Sequence, residues 1–153
     1  MKTSNPRVPP ALVMALMLAT LYLLRRVMSD GALVFPGQKA LASGLVMAGG
    51  LVVLIGVGAF GRAGTTVDPL DPDKAESLVS RGIYGYSRNP MYVGFLLVVL
   101  AGVVRMGIWP GLLLPPLFVW YMNRFQIGPE EIALEHKFGQ AYLDYKARVR
   151  RWL

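Results

Sequence analysis

The chain contains no cysteine and a single histidine, His136. Without cysteine there are no disulfides, no thiolate nucleophile, no thiolate-bound zinc and no iron–sulfur cluster. One histidine does not make a histidine-built metal site, and no metal ligand set is expected. Acids are also scarce, with Asp+Glu 9 against Lys+Arg 16, for a formal net charge of +7. Charged residues make up only 16% of the 153 positions and hydrophobic ones 54%, with a mean hydropathy of +0.46. That is too apolar for an ordinary soluble domain of this length, so membrane spans come first. In such a chain the basic excess points to the anionic cytoplasmic leaflet rather than to nucleic acid.

A helix needs about 20 apolar residues to cross about 30 Å of hydrocarbon. Residues 8–24 form a first uncharged run. Arg25 and Arg26 stand where a signal peptide would have its small-residue cleavage site, so this run is expected to be retained as a span. Residues 40–60 form a second run. Met91 to Met122 is apolar apart from Arg105 and too long for one helix. Gly107, Trp109, Pro110 and Gly111 break it into a hairpin of spans 91–105 and 108–125, with Arg105 snorkelling near the turn. The fold class expected is an all-α membrane protein, one domain over 1–153, with about four transmembrane helices.

Lysines and arginines divide 12 to 4 between the two faces of this arrangement, Arg25 and Arg26 being the local dissent. Both termini and the 62–90 loop are therefore expected on the cytoplasmic side of a multi-pass protein. In that loop Asp68-Pro69 and Asp71-Pro72-Asp73 read as turns, followed by a short helical stretch near Lys74 to Ser80. The tail reads as one amphipathic helix, 129–150. Pro129 sits at its start and Glu130 and Glu131 in its first turn. Leu134, Phe138, Tyr142, Tyr145, Val149 and Trp152 recur at spacings of three and four.

Gly56-Val57-Gly58-Ala59-Phe60-Gly61 matches the dinucleotide pattern G-x-G-x-x-G, which works only between a strand and a helix. Here it ends an apolar helical run, where small residues serve close packing; the Ala40, Gly44, Ala48 stripe upstream could pack within the bundle or between protomers. Glu130 and Glu131 would favour the positive end of a helix dipole wherever they pointed. If the hairpin arms are antiparallel neighbours, however, Arg88 to Tyr92 and Arg124 to Glu131 meet at one membrane face. That would bring an Arg, an Asn, two acids and several Tyr together. The aromatic stripe suits a lid or core face, and His136 is assigned no role.

The sequence G-x-Y-x-x-x-R-N-P-x-Y-x-G is carried by Gly82, Tyr84, Arg88, Asn89, Pro90, Tyr92 and Gly94. E-E-x-x-L-x-x-x-F-G-x-x-Y-x-x-Y is carried by Glu130, Glu131, Leu134, Phe138, Gly139, Tyr142 and Tyr145. Together with Gly64-Thr65-Thr66, these blocks resemble the integral-membrane methyltransferases, the superfamily that joins isoprenylcysteine carboxyl methyltransferases and membrane phospholipid methyltransferases. The resemblance runs from about Gly61 to the C-terminus. It implies S-adenosylmethionine as methyl donor, bound at the cytoplasmic end of the helices without a Rossmann domain and covered by the tail helix, and a lipophilic acceptor entering from the bilayer. It implies Arg88, Asn89 and Glu131 as catalytic residues. Gly82, Tyr84, Pro90, Tyr92, Gly94, Glu130, Tyr142 and Tyr145 would join those three in holding the cofactor. Prenylcysteine methyltransferases usually carry His where Asn89 stands, and Asn cannot change charge near neutral pH.

The residue types suit that chemistry. Tyr84, Tyr92, Tyr142 and Tyr145 offer aromatic faces to a cationic donor. Glu130 or Glu131 could hold ribose hydroxyls or an ammonium, and Arg88 or the tail arginines could hold a carboxylate. Alignment and desolvation would do most of the work. The acceptor stays open among an isoprenylcysteine-type carboxylate, a phospholipid and a small thiol. Rival readings are a membrane reductase using a nicotinamide cofactor, a small four-span transporter and a non-catalytic membrane protein.

Overall fold

The computed structural model describes residues 8–28, 32–64 and 77–153, and all regular structure among them is helical. The expected turns at Asp68 to Asp73, and Lys2, Arg7, Thr65, Thr66 and Lys74, lie outside the described residues. Of the short helix expected near Lys74 to Ser80, the described part, 77–80, is irregular.

Helix α1 spans Pro10–Val27 and α2 spans Gln38–Arg62. At 1.5 Å per residue, 25 residues reach about 37 Å, and both helices are long and apolar enough to cross a membrane. Pro10 starts α1 because its missing N–H is not needed in a first turn. The helix runs past 24 because Arg25 and Arg26 complement its end. Arg25 donates to the Met28 carbonyl at 3.0 Å, and Arg26 to the Tyr22 hydroxyl at 2.6 Å. Their exception to the charge pattern thus has a local cause.

Helix α3 spans Pro90–Met106 and ends where expected, at Gly107, whose φ of 64° is left-handed. A Cβ at Gly107 would strike the Leu33 carbonyl. The buried Gln38 ties this corner together by donating to the Val104 carbonyl at 2.6 Å. Arg105 is exposed in the last turn. The second arm of the hairpin is a 3-10 turn, Trp109–Leu113, then α4, Leu114–Tyr121, then one widened π turn, Met122–Ile127. Helix α5 follows without a loop at Gly128–Phe138. The π turn has a simple cause: Pro129 has no N–H, and its ring would clash with the Phe125 carbonyl in a regular helix. The Gly128 N–H reaches back to Asn123 instead.

The tail differs from the single helix expected over 129–150. Gly139 adopts φ 53°, ψ −127°, a conformation closed to side-chain-bearing residues, and splits it into α5 and α6, Gln140–Arg148. Val149 is already extended, so Val149 and Trp152 belong to a strap beyond α6. The three-and-four spacing continued across a break that it could not register.

Leu21 of α1, Val99 of α3 and Phe118 of α4 are fully buried and form the core with Met122 and Ile127. Helix α2 packs on α3 through Gln38, Ala42, Gly49 and Gly56, which lie on one face. The Ala40, Gly44, Ala48 stripe is instead exposed, and nothing lies within 4 Å of a Cβ built on Gly44. Two glycines interlock at the true contact: a Cβ on Gly49 would sit 2.6 Å from the Gly94 carbonyl oxygen, and one on Gly94 2.6 Å from that of Gly49. The G-x-G-x-x-G match lies wholly inside α2. Its Gly56 gives way to Met91, as helix packing requires and dinucleotide binding does not. The outward face of α2 carries Met47 and Leu54, 74% and 71% exposed, an apolar surface suited to lipid rather than water.

Gly49→Ala is expected to destabilise the protein by about 1–3 kcal/mol because backbone must move. Gly44→Ala should fall within about 0.5 kcal/mol of wild type. Circular dichroism melting in detergent reads both, and equal midpoints for the two variants would refute the glycine contact.

Candidate functional site

The hairpin brings the two motif blocks into direct contact. Arg88 precedes α3 and Glu131 lies in the first turn of α5, yet Nη2 of Arg88 donates to Oε1 of Glu131 at 2.8 Å. The other terminal nitrogen of Arg88 donates to the Lys146 and Val149 carbonyls, each at 2.9 Å. Arg151 closes the cluster with two bonds to Glu131, at 3.0 and 2.6 Å, and Lys146 stands 3.9 Å from the same carboxylate. The strap 149–152 is fastened again by Arg88 N–H to the Arg150 carbonyl and by the Asn89 side-chain amide to the Arg151 carbonyl, both at 2.9 Å. Trp152 donates to Asn123 of the π turn at 3.0 Å.

The side chains of Arg88 and Glu131 are 9% and 7% exposed, so solvent screens them little. Burial alone would raise the Glu131 carboxyl. The hydrogen bonds from Arg151 and Arg88, with their charges, outweigh it and hold the carboxyl below its ordinary value of 4.5. The bond to Glu131 in turn raises Arg151.

Beside this cluster lies a hollow, open at its mouth, of about 480 Å³ when the space open to solvent is counted. Tyr84, Tyr142 and Tyr145 line it with Asn89 and Glu130, and Phe60 and Leu134 supply apolar wall. Tyr145 donates to the Tyr84 carbonyl at 2.8 Å, and Phe60 meets Tyr84 edge-on, centroids 5.2 Å apart. The Tyr84 hydroxyl is buried and has no hydrogen-bond partner among the described residues, nor has Nε of Arg88. Burial raises all three tyrosine hydroxyls, Tyr145 to about 12. They stay protonated at neutral pH and act as donors.

The remaining residues singled out from the sequence lie elsewhere. Tyr92 is buried in the core and donates to Glu130 at 2.7 Å, and Gln126 donates to the same oxygen. Pro90 starts α3, Gly94 belongs to the contact with α2, and Gly82 opens the 3-10 turn Gly82–Gly85 and lines a different groove. Arg151 was one of the tail arginines expected to hold a carboxylate, and the one it holds here is that of Glu131; Gln126 and the hollow-lining Leu78 and Val79 carried no sequence signal. Arg151 sat undistinguished in the basic run at the C-terminus, and nothing local marks a glutamine as the partner of an acid four residues on.

Arg88→Ala removes one partner of a buried pair, with an expected cost of about 3–5 kcal/mol and release of the strap. Arg88→Lys should rescue little, since an ammonium cannot span a carboxylate and two carbonyls. Carboxypeptidase digestion of the tail measures the release. Glu131 also sets a pH dependence. With its folded value depressed, its contribution is complete above about pH 4.5 and is lost as pH falls through the lower folded value. Wild type should therefore lose more thermal stability than Glu131→Gln as the pH is lowered below about 4.5. Parallel losses would remove this role.

The profile of the phospholipid methyltransferase family matches residues 38–141, about two thirds of the chain. An uncharacterised protein of Haemophilus influenzae is 44% identical over 66 residues, 41% of this chain and 100% of that protein. Protein-S-isoprenylcysteine O-methyltransferase of Schizosaccharomyces pombe is 36% identical over 77 residues, 50% of this chain and 33% of that enzyme. Its mouse counterpart is 38% identical over 73 residues, 48% of this chain and 26% of the enzyme. The chain thus spans about a quarter to a third of the named enzymes it matches. No solved structure matches it. The two membrane-length helices and the family profile agree: the chain belongs to the phospholipid methyltransferase family, a family of membrane methyltransferases.

Proposed function

We propose that the protein transfers a methyl group from S-adenosylmethionine to a lipophilic acceptor at the cytoplasmic face of a membrane. In this reading α1, α2, α3 and the α4–π arm all cross the bilayer, and both termini are cytoplasmic, as the distribution of arginine and lysine favours. The observation that carries the proposal is the hollow itself. It is lined by three tyrosines, Tyr84, Tyr142 and Tyr145, and bordered by two carboxylates, Glu130 and Glu131. Those features fit a sulfonium donor with a ribose and an amino-acid end.

When bound, the donor supplies an activated methyl on a positively charged sulfur. The faces of Tyr84, Tyr142 and Tyr145 attract such a cation. Glu130, held by Tyr92 and Gln126, keeps a fixed negative charge on the wall. Arg88 and Glu131 satisfy each other, so they frame the hollow and seat the strap rather than reach into it, and Asn89 joins wall and strap. Phe60, Leu78, Val79 and Leu134 exclude water. The wall hydroxyls stay protonated near neutrality, and its two carboxylates already accept hydrogen bonds, Glu130 from Tyr92 and Gln126 and Glu131 from Arg88 and Arg151. This favours an acceptor that is nucleophilic as it stands, a carboxylate or thiolate, over an ammonium that must first lose a proton.

Calorimetry with S-adenosylhomocysteine in detergent tests the proposal. Wild type should bind. Leu134→Trp, which fills the hollow, should abolish binding, and Tyr142→Ala should weaken it on the order of tenfold. No binding to wild type, or undiminished binding to the filled variant, ends this reading.

A further inference from the structure

Gln126 is a buried polar side chain, 2% exposed, in the π turn of the second hairpin arm. An amide in an apolar arm needs a partner, because a buried polar group left unbonded is costly. Its Nε2 donates to Oε1 of Glu130. The hydroxyl of Tyr92, in the first turn of α3, donates to the same oxygen at 2.7 Å. Donors from both arms of the hairpin therefore converge on one carboxylate oxygen. Both are uncharged, so the two bonds fix the direction of the carboxylate and leave its charge in place. Glu131, one residue on, is met instead by the opposite charges of Arg88 and Arg151.

The held carboxylate is half-buried and borders the hollow beside the tyrosines. Burial does most to raise the Tyr84 hydroxyl, Tyr145 adds to it, and so does the charge of Glu130, which places the Tyr84 side chain and this carboxylate close together. An aromatic ring beside a carboxylate attracts a cation. Two hydrogen bonds already fall on Oε1, and a sulfonium asks for none, since it has neither N–H nor O–H. An ammonium or a ribose hydroxyl would compete for acceptor capacity that Gln126 and Tyr92 have partly taken. Direction matters because the same charge turned out toward water would be screened.

We propose that Gln126 is a positioning residue: with Tyr92 it aims Glu130 at the sulfur of the ligand, and so lets the hollow distinguish the charged methyl donor from its product, whose sulfur is uncharged. The proposal rests on the methyl-transfer reading. When the methyl passes to the acceptor, the electron pair of the carbon–sulfur bond stays on sulfur and the positive charge there is gone. The pull of Glu130 on that atom ends with it. Gln126 acts only through Glu130 and touches no reacting atom.

The test is calorimetric binding of S-adenosylmethionine and S-adenosylhomocysteine to the full chain in detergent, a pair that differs only in the methyl and its charge. Gln126→Met keeps the side-chain length and removes one donor, and Tyr92→Phe removes the other. Each should weaken S-adenosylmethionine on the order of tenfold and S-adenosylhomocysteine by about twofold at most, and Glu130→Gln should do the same. Gln140→Met, which removes an exposed bond to Asp144 on α6, should bind both as wild type does. The readout is the ratio of the two affinities. A variant that merely loosens the fold weakens both ligands alike and leaves the ratio where it was. Equal losses for both ligands put Glu130 at a part of the molecule that the two share and overturn the proposal, as does unchanged binding of both. Tyr92→Phe decides by the same ratio where Gln126→Met fails to fold. A wild type that binds neither ligand ends the methyl-transfer reading and this proposal with it. A wild type that binds both, with a ratio indifferent to Gln126 and Tyr92, ends this proposal alone.

Discussion

The ion cluster of Arg88, Glu131 and Arg151 is the constraint on which the site-bearing end of this protein depends. It joins three segments with no local reason to meet: the turn before α3, the first turn of α5 and the strap after α6. A buried carboxylate facing one arginine would be a costly arrangement. Here it accepts from two, and Arg88 also satisfies two carbonyls and, through its own N–H, a third. The carboxylate is thus fully engaged, while one positive charge stays in excess and Nε of Arg88 has no partner among the described residues. The consequence for the site is indirect but decisive, since the same contacts set where Asn89, Tyr142 and Tyr145 stand.

Much of the fold was legible because the bilayer reads composition directly. Uncharged runs of the right length had to be helices. Gly107 had to end one of them because a proline and further glycine follow it in a run too long for one span. Two features were not legible, for one cause. The three-and-four spacing of the tail stayed in phase through Gly139, although the backbone there turns through a conformation only glycine tolerates. The stripe Ala40, Gly44, Ala48 had the composition of a packing face, but a helix apolar on every side gives no sign of which side its neighbour takes. The neighbour took Ala42, Gly49 and Gly56.

The site divides in the same way. The residue types at Arg88, Asn89, Glu130, Glu131 and the tyrosines could be picked out of the sequence, and antiparallel hairpin arms were enough to put them at one end. Which acid met which partner was not legible. Glu130 and Glu131 are adjacent, yet one accepts from Tyr92 and Gln126 and the other from Arg88 and Arg151. On a helix, neighbouring residues point about 100° apart, so one acid turns toward the core and the other toward the strap.

The sequence by itself determined that this chain is helical, that it belongs in a membrane, where its hairpin turns and to which family it belongs. These follow from run length, turn chemistry and local motifs, each readable within a few residues. Only the tertiary structure decided that Arg88 and Glu131 satisfy each other, that a tyrosine hollow and an arginine-rimmed groove share the wall of Leu78 and Val79, and that the C-terminal strap closes over the cluster. Such pairings join residues 20 to 62 positions apart. Their energies depend on burial and on which rival partners are within reach, and neither exists until the chain has folded.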